Sequence, residues 1–385
     1  MSTVSLARVP DIVQGAGALE ALGQSLGGRV PSASAVLLAA DPGLRRSGFV
    51  DAAAASLAAA GYGVVLFTDI KSDPTMAQVD AAVALSRSER VSAVVALGGG
   101  SAMDVGKTIA GIAGGSAGAA HYGLCAHPFP ATRLLSVCVP TTSGTGSEAT
   151  RTAVLADPAG AKVWLWDDEL KPALILLDPT LTTGLPAALT AATGIDALVH
   201  AIEASTNANA NAANDLYCHQ AIRLVVKHLV RGVEAPQDLE ARAGLQWAAT
   251  LAGIAIDNCG TAIAHNVGHA LASLRPVHHG RAVGLALRAT LGWNSETDAD
   301  GRFAAVAALM GEGADARRLP AAFERLLRQA GVKVSLAGEG HDEVTPAELA
   351  RQMARPENEA MRRSNKRPVG DADLLTFATA VLTAR

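Results

Sequence analysis

The sequence predicts two domains, an α/β domain over residues 1–180 and an all-helical domain over residues 181–385. The first half alternates short, apolar, strand-like runs with helix-like stretches, which is typical of βαβ units and a mostly parallel sheet. After Pro179 the β-branched clusters become sparse and long apolar-periodic stretches follow. The length of 385 residues also leaves room for roughly two to three domains.

The predicted strands are continuous apolar runs, and glycine, proline or aspartate stops most of them. Such runs fit a sheet that helices cover on both faces. In chain order, the strands are predicted over 36–40, 63–67, 91–97, 134–139 and 174–177. The helices between them are predicted over 48–60, 76–86 and 102–112.

The second half is predicted to be nearly all helix, from about Pro186 to the C-terminus. Its apolar residues recur at helical spacing over long stretches. Proline inside a helix lacks an N–H group and clashes with the preceding turn. Breaks between helices are therefore predicted at Pro236, Pro276, Pro320 and Pro356.

The composition excludes several classes of protein. The formal net charge is −4, apolar residues make up 49% of the chain and aromatic residues 3%. A disordered chain is poor in apolar residues, and a nucleic-acid-binding protein is usually basic. The chain lacks both a signal-peptide pattern and the run of about 18 uncharged apolar residues that a membrane span needs. Four scattered cysteines without a CxxC pair fit a reducing compartment, so we expect a cytoplasmic protein without nucleic-acid or membrane partners.

A glycine-rich loop follows the predicted strand over 91–97. Gly98-Gly99-Gly100-Ser101 leads into the predicted helix over 102–112. Glycine lets the backbone approach a bound group closely, and unpaired N–H groups at a helix start suit a pyrophosphate. Ser101 is predicted to cap the helix, with Asp104 three residues later as in a capping box, and Lys107 completes the pattern. Taken alone, the same glycines also fit a tight turn without a ligand.

A second loop, after the predicted strand over 134–139, is rich in hydroxyl groups and glycine. It reads Pro140-Thr141-Thr142-Ser143-Gly144-Thr145-Gly146-Ser147-Glu148. Ligands of open α/β sheets bind at the carboxyl ends of the strands, so two such loops favour nucleotide binding. Asp41, at the end of the first predicted strand, would accept hydrogen bonds from ribose hydroxyls and repel a 2′-phosphate, which favours NAD over NADP. Asp41 also fits the start of a turn before Pro42.

The second half carries a concentration of histidines. Seven of the ten histidines lie from His200 to His279. Asp196 and His200 are four residues apart and share a helix face, as do His265 and His269. His279 follows a predicted helix end and is expected on a returning loop. One carboxylate and three imidazoles suit a divalent first-row metal ion, although each histidine alone also fits a core or capping role.

Taken together, these segments resemble the iron-containing (group III) alcohol dehydrogenase family. The resemblance runs through almost the whole chain in order. It is carried by the loops at 98–107 and 140–148, Asp178-Pro179, the pattern at 194–203, the His265, His269 and His279-Gly280 cluster, and Asn365 with Arg367-Pro368. It implies an N-terminal nucleotide-binding domain and a C-terminal helical domain, an architecture shared with dehydroquinate synthase, with the active site in the cleft between them.

The resemblance also implies roles for individual residues. The implied metal ligands are Asp196, His200, His265 and His279, and His269 is implied in a proton relay near the metal. The implied cofactor contacts are Asp41, Gly98, Gly99, Gly100, Ser101, Asp104, Thr141, Thr142 and Lys162. Many members have an apolar or small residue at the position of His278, so His278 is a second candidate for the last ligand. We prefer His279, because the family's ligand directly precedes a glycine.

The implied function is hydride transfer between a nicotinamide and a small alcohol, aldehyde or hydroxy acid, with NAD preferred to NADP. The expected metal is Fe²⁺, although Zn²⁺ or Mn²⁺ would fit the same ligands. The alternatives are a maleylacetate reductase-like enzyme, a non-redox lyase similar to dehydroquinate synthase, and a non-catalytic NAD-binding protein. The intact set of one aspartate and three histidines counts against all of them. The family also implies a homodimer.

Overall fold

The computed structural model describes residues 4–384, which form two compact units. The sheet unit contains Arg8–Thr142 and Gly146–Gly184. The helical unit contains residues 143–145 and 185–384, together with residues 4–7. The predicted fold class, an α/β N-terminal part followed by a helical C-terminal part, is confirmed.

The sheet unit is built on a six-stranded parallel sheet in the order β1-β8-β5-β4-β2-β3. Its strands are β1 (Asp11–Gln14), β2 (Ala35–Ala40), β3 (Gly63–Phe67), β4 (Val91–Gly98), β5 (Leu135–Pro140) and β8 (Leu174–Leu177). A separate antiparallel hairpin consists of β6 (Thr152–Ala156) and β7 (Lys162–Trp166). The helices of this unit are α1 (Leu22–Ser25), α2 (Phe49–Ala59), α3 (Met76–Ser88) and α4 (Gly100–Ile112).

The central strands are buried on both faces, as their continuous apolar sequences predict. In β4, Val94 and Ala96 belong to one apolar cluster, whereas Ala93 and Val95 belong to a second. Successive strand residues point to opposite faces, so each face of β4 is buried in a different cluster. All five predicted strands and all three predicted helices of this unit are present.

Three strands of the sheet unit were not predicted. Strand β1 is an edge strand of 4 residues whose alternate residues are exposed, too short to show a clear period. Strands β6 and β7 form a two-stranded antiparallel sheet, and Ala156 of β6 also forms an isolated bridge with Thr75. Their apolar runs over 153–156 and 163–166 are as continuous as those of the predicted strands, so the sequence does not explain why they were missed.

The helical unit contains ten α-helices within residues 185–384. They are α5 (Ala187–Thr206), α6 (Ala212–Glu234), α7 (Leu239–Cys259), α8 (Ile263–Leu274), α9 (His279–Ser295), α10 (Arg302–Leu309), α11 (Leu319–Gln329), α12 (Pro346–Met353), α13 (Pro356–Ser364) and α14 (Asp371–Leu382). Helix α5 is buried continuously from Thr190 to Thr206. A helix buried on all sides lies at the centre of its unit, and α5 packs against α6, α7 and α9.

The predicted helix breaks fall at two kinds of position. Pro236 and Pro276 follow the ends of α6 and α8. Pro320 and Pro356 instead lie in the first turn of α11 and α13. Proline is tolerated there because the N–H groups of the first turn have no intrahelical partner. Within residues 4–384, no helix combines the length and apolar character that crossing a membrane would require.

Candidate metal and cofactor sites

The cofactor candidates of the sheet unit follow three neighbouring strands. Asp41 follows β2, Gly98-Gly99-Gly100-Ser101 spans the end of β4, and Thr141-Thr142 follows β5. The Thr141 N–H donates to the Gly98 carbonyl at 2.8 Å, and the Asp41 N–H donates to the Leu97 carbonyl at 3.0 Å. Backbone hydrogen bonds therefore join the starts of all three loops at the carboxyl edge of the sheet, where ligands of parallel sheets bind.

Gly98 allows these loops to approach one another. Its φ is +151°, and a Cβ there would lie 2.7 Å from the Ala102 Cβ and 3.0 Å from the Asp41 Cβ. Gly99 is the N-cap of α4, and no side chain within residues 4–384 caps this helix. The first-turn N–H groups of such a helix suit the oxygens of a pyrophosphate.

The prediction that Ser101 caps α4 was wrong. The helix begins at Gly100, so Ser101 lies in its first turn, and its Oγ donates to the Ser72 carbonyl at 2.5 Å. Asp104 completes no capping box, because its carboxylate accepts from the Ser147 Oγ at 2.5 Å and from the Val154 N–H at 3.0 Å. These bonds hold the segment after β5 to α4. A cofactor contact by Asp104 stays a prediction.

Lys107 has a role that the sequence did not reveal. Its side chain is fully buried, and its Nζ donates to the carbonyls of Ser147, Thr150 and Thr152 at 2.7, 3.3 and 2.6 Å. Asp104 Oδ1 lies 3.6 Å from the same nitrogen. A buried charge is costly unless hydrogen bonds compensate it, and here several acceptors do so. Lys107 therefore fastens the segment that follows the hydroxyl-rich loop.

Asp41 and Lys162 both have polar partners within the sheet unit. The Asp41 carboxylate accepts from the Gly43 N–H at 2.7 Å and caps a short 3₁₀ helix, so the turn-forming interpretation holds. A carboxylate has further acceptor sites, and this bond leaves a ribose contact feasible. Lys162 begins β7 and pairs with Asp73 at 2.9 Å, beside the Ser72 that Ser101 contacts.

The four predicted metal ligands come together in the helical unit. One ligand atom from each of Asp196, His200, His265 and His279 lies within 4.8 Å of the others. Asp196 Oδ1 is 3.8 Å from His200 Nε2 and 3.5 Å from His279 Nε2. In a tetrahedral site with bonds of about 2.1 Å, ligand atoms are about 3.4 Å apart. The observed spacing is therefore close to that of a metal centre.

Some buried atoms of this cluster have unmet bonding capacity. Among them, Asp196 Oδ1 and His265 Nε2 have no hydrogen-bond partner in the described part of the chain. Burial raises the pKa of Asp196 to about 8 and lowers the pKa of His265 to about 3. A bound cation reverses the shift on a carboxylate and requires neutral imidazoles, which burial already provides. The residues therefore fit a divalent metal ion.

The prediction that His279 lies on a returning loop was wrong. Helix α8 ends at Leu274, as expected before a proline, but α9 begins at His279 itself. A Cβ on Gly280 would lie 2.2 Å from the Ala192 carbonyl oxygen of α5. The lack of a side chain at Gly280 thus lets the start of α9 approach the helix that carries Asp196. His278 precedes the helix and is exposed.

His269 and Glu203 lie beside the four ligands. His269 is one turn after His265, and its ring centroid is 5.9 Å from that of His265 and 5.2 Å from that of His279. Glu203 is a buried carboxylate, and its Oε2 lies 2.6 Å from His265 Nδ1. Glu203 lies seven residues after Asp196 on the same helix, so both are on a common face, although no role for Glu203 was predicted.

Not all of the seven histidines between His200 and His279 belong to the candidate metal site. His219 and His228 lie on α6 and are outside the cluster of four ligands. His228 packs so closely on α7 that a Cβ on Gly244 would lie 2.3 Å from its ring. The family resemblance, and not the number of histidines, is what implied the four ligands.

The carboxyl edge of the parallel sheet and the buried aspartate–histidine cluster together define a nucleotide-dependent and metal-dependent enzyme. The family model for iron-containing alcohol dehydrogenase matches residues 10–179. The model for the C-terminal part of the Fe-containing alcohol dehydrogenase family matches residues 190–380. The chain belongs to the iron-containing alcohol dehydrogenase family.

Relatives with assigned activities support this membership. The chain is 32% identical to the NAD-dependent methanol dehydrogenase of Bacillus methanolicus, with 83% of each protein covered. It is 36% identical to the 1,3-propanediol dehydrogenase of Klebsiella pneumoniae, over 75% of this chain and 74% of the relative. The crystal structure of sulfoacetaldehyde reductase from Bifidobacterium kashiwanohense with NAD⁺ matches with a TM-score of 0.89, 28% identity and 100% of both chains covered. The predicted enzyme class, an NAD-dependent and metal-dependent oxidoreductase, is confirmed.

Proposed function

We propose that this protein interconverts a small alcohol and the corresponding carbonyl compound with NAD, and that Asp196, His200, His265 and His279 hold its metal. The observation that carries the proposal is the convergence of these four side chains, with ligand atoms within 4.8 Å of one another. The relatives named above act, by their names, on methanol, 1,3-propanediol and sulfoacetaldehyde. All three are small molecules, which supports a small substrate for this chain.

The ligand set suits the developing charge of the reaction. A bound divalent metal supplies Lewis-acid chemistry, which stabilises an alkoxide and polarises a carbonyl group. Only Asp196 is anionic among the four ligands, so the loaded site keeps a net positive charge. Burial lowers the pKa of His200 and His265, which keeps both rings neutral at pH 7. The low dielectric of the buried site strengthens every electrostatic interaction within it.

We propose that His269 moves the proton of the alcohol between the site and solvent. It is partly exposed, whereas His200 and His265 are buried. Its ring lies 5.2 Å from that of His279, which is also partly exposed. Histidine is the residue most often used for such proton transfer. His269 lies one helical turn after His265, so a proton that it accepts near the metal ligands can pass to solvent at its partly exposed ring.

We propose a matching set of cofactor contacts in the sheet unit. The N–H groups at the start of α4 would bind the pyrophosphate, and Asp41 would accept hydrogen bonds from a ribose. The remaining proposed contacts are Ser101, Asp104, Thr141, Thr142 and Lys162. We also propose that the boundary at 180/181 separates a nucleotide-binding domain from a metal-binding and catalytic domain. Two observations support this division: three loops lie side by side at one edge of the sheet, and the four proposed ligands lie close together among the helices.

Two further proposals concern the protein as a whole. We propose a cytoplasmic protein, supported by four cysteines that all carry free thiols. We propose a homodimer, supported by the family resemblance. Size-exclusion chromatography with light scattering tests the second proposal, and a mass of one chain in solution would contradict it.

The decisive experiment combines metal analysis with a substrate panel. The purified protein is loaded with Fe²⁺, Zn²⁺ or Mn²⁺, and NADH formation is followed with small alcohols, diols and hydroxy acids. We expect about one metal per chain, net NADH formation with at least one small alcohol, and slower reaction with NADP. Net NADH formation also separates this function from a lyase, which returns its NAD unchanged. A loaded protein that reduces no NAD with any substrate of the panel would contradict the proposal.

A further inference from the structure

Both carboxylate oxygens of Glu203 accept hydrogen bonds within the helical unit. It lies on α5 and is only 3% exposed. Its Oε1 accepts from the Ala264 N–H at 2.6 Å, and its Oε2 accepts from the Ala262 N–H at 2.9 Å. The same Oε2 lies 2.6 Å from His265 Nδ1. Glu203 therefore contacts a proposed ligand, and both of its oxygens already accept hydrogen bonds.

The contact with His265 selects one tautomer of its ring. A carboxylate only accepts hydrogen bonds, so a 2.6 Å contact places the imidazole proton on Nδ1. The neutral ring then carries its lone pair on Nε2. This Nε2 is the buried atom that has no hydrogen-bond partner within residues 4–384. The tautomer that Glu203 selects is thus the one that a metal ligand needs.

Glu203 also holds the start of α8. The N-cap of α8 is Ala262, which offers no side chain for capping. The carboxylate from α5 bonds two of the N–H groups at this helix start, where a negative charge is favourable. One side chain therefore joins the helix of Asp196 and His200 to the helix of His265 and His269.

We propose that Glu203 is the positioning residue of the metal centre, because it fixes both the start of α8 and the Nδ1-protonated tautomer of His265. The proposal rests on the proposed function, since it assumes that His265 is a ligand. Carboxylates that hold a ligating histidine typically change metal affinity by roughly 10- to 100-fold when they are replaced.

The test is Glu203→Gln, which keeps the size of the side chain. Its amide has one acceptor oxygen and one donor nitrogen, so it cannot accept from both backbone N–H groups and from His265 Nδ1 as the carboxylate does, and the hold on the start of α8 and on the His265 tautomer is weakened. We expect the affinity of the metal-free protein for Zn²⁺, measured by competition with a chromophoric chelator, to fall roughly 10- to 100-fold. The matched control is Asp215→Asn, which removes a carboxylate paired with Arg302 at 2.8 Å in the same unit. We expect this control to lower the unfolding midpoint and to keep the wild-type Zn²⁺ affinity.

A second measurement requires no variant. Nitrogen-15 NMR of the histidine rings in the metal-free wild-type protein reports the tautomer of His265, and we expect the proton on Nδ1. A proton on Nε2, or wild-type Zn²⁺ affinity in Glu203→Gln, would overturn the inference while the ligand set stands. A wild-type protein that binds no Zn²⁺ would overturn the ligand set and the inference together.

Discussion

The buried ionisable groups at the candidate sites of the two units differ in how fully they are hydrogen-bonded. In the sheet unit, the Lys107 ammonium is surrounded by carbonyl oxygens and lies beside Asp104, whose carboxylate is also hydrogen-bonded. In the helical unit, Asp196 and His265 each keep one buried polar atom without a hydrogen-bond partner among the described residues. An unpaired buried group costs about 1–3 kcal/mol, whereas a compensated one stabilises the fold.

This difference in hydrogen bonding distinguishes buried ionisable groups that stabilise the fold from those that are available to bind a ligand. A buried group whose bonds are complete holds neighbouring segments together, and it has little capacity left for a ligand. A buried group with incomplete bonds costs stability, so it needs a ligand or another function to account for it. The candidate cofactor contacts of the sheet unit are accordingly backbone N–H groups and mostly partly exposed side chains, whereas the candidate metal ligands of the helical unit are mostly buried side chains.

The largest expected effect comes from removing a ligand. In Asp196→Asn and His265→Ala we expect the bound metal to be lost and turnover to fall by at least ~10³-fold, because the metal supplies several kcal/mol of transition-state stabilisation. Metal content is measured by mass spectrometry and turnover by NADH formation. Stoichiometric metal in both variants would show that the ligand assignment is wrong.

Asp196→Asn also tests whether an unpaired buried group lowers the stability of the metal-free protein. In chelator-treated protein above about pH 8, where Asp196 is ionised, we expect Asp196→Asn to raise the free energy of unfolding by about 1–3 kcal/mol, because it removes a desolvated carboxylate. Urea unfolding of both metal-free proteins measures the difference. A metal-free variant less stable than metal-free wild type would mean that Asp196 is already compensated within the fold.

In contrast to Asp196→Asn, Lys107→Met is expected to lower the free energy of unfolding. It removes a fully buried cation and leaves the carbonyl oxygens of Ser147 and Thr152 without their donor. Breaking a buried, compensated charge costs about 3–5 kcal/mol, so we expect a large loss of stability in urea unfolding. The exposed Lys162, paired with Asp73, is the control, and Lys162→Met is expected to cost less than about 1 kcal/mol. Equal costs would contradict the comparison.

Local spacing explains why much of the metal site was predictable. Asp196 and His200 are one turn apart on α5, and His265 and His269 are one turn apart on α8, so the sequence itself sets their common faces. The central strands were predictable for a related reason, because burial on both faces requires a continuous apolar sequence.

What the sequence could not reveal depends on contacts between distant residues. Glu203 meets His265 across 62 positions, and Lys107 meets Thr150 across 43 positions, so no local pattern marks either role. The errors at Ser101 and His279 have another cause. Local rules located a helix end correctly to within a few residues, but the role of each side chain changed when α4 began at Gly100 and α9 began at His279.

A smaller effect is expected at the edge of the sheet unit. Removal of the Asp41 carboxylate, in Asp41→Ser, takes away the group that would repel a 2′-phosphate and bind ribose hydroxyls. We expect the ratio of kcat/KM for NADP to that for NAD to rise by about tenfold, equivalent to ~1.4 kcal/mol. The control is Asp51→Ser, an exposed aspartate in the first turn of α2. An unchanged ratio in Asp41→Ser would remove Asp41 from the proposed cofactor contacts.

The smallest effect concerns a charge that has partners but is not buried. Glu339 accepts from Arg281 at 2.5 Å and from Lys333 at 2.6 Å, and these hydrogen bonds lower its pKa from 4.5 to about 2. Because the pKa is lower in the folded state, the contacts stabilise the fold above pH 4.5, and this stabilisation is lost as the pH falls towards 2. Solvent screening limits the contribution to about 1 kcal/mol at pH 7.

Glu339→Gln therefore completes a series of three ionisable groups: Asp196 is buried without a partner, Lys107 is buried with partners, and Glu339 is partly exposed with partners. We expect the variant to be less stable than wild type by about 1 kcal/mol at pH 7. The difference should shrink as the pH falls from 4.5 towards 2, because Glu339 of the unfolded chain takes up a proton before Glu339 of the folded protein does. Urea unfolding of both proteins across this range measures it. A difference in stability that does not change with pH would show that the loss comes from packing of the Glu339 side chain and not from its charge. The contribution of Glu339 would then have a different physical cause from that of Lys107.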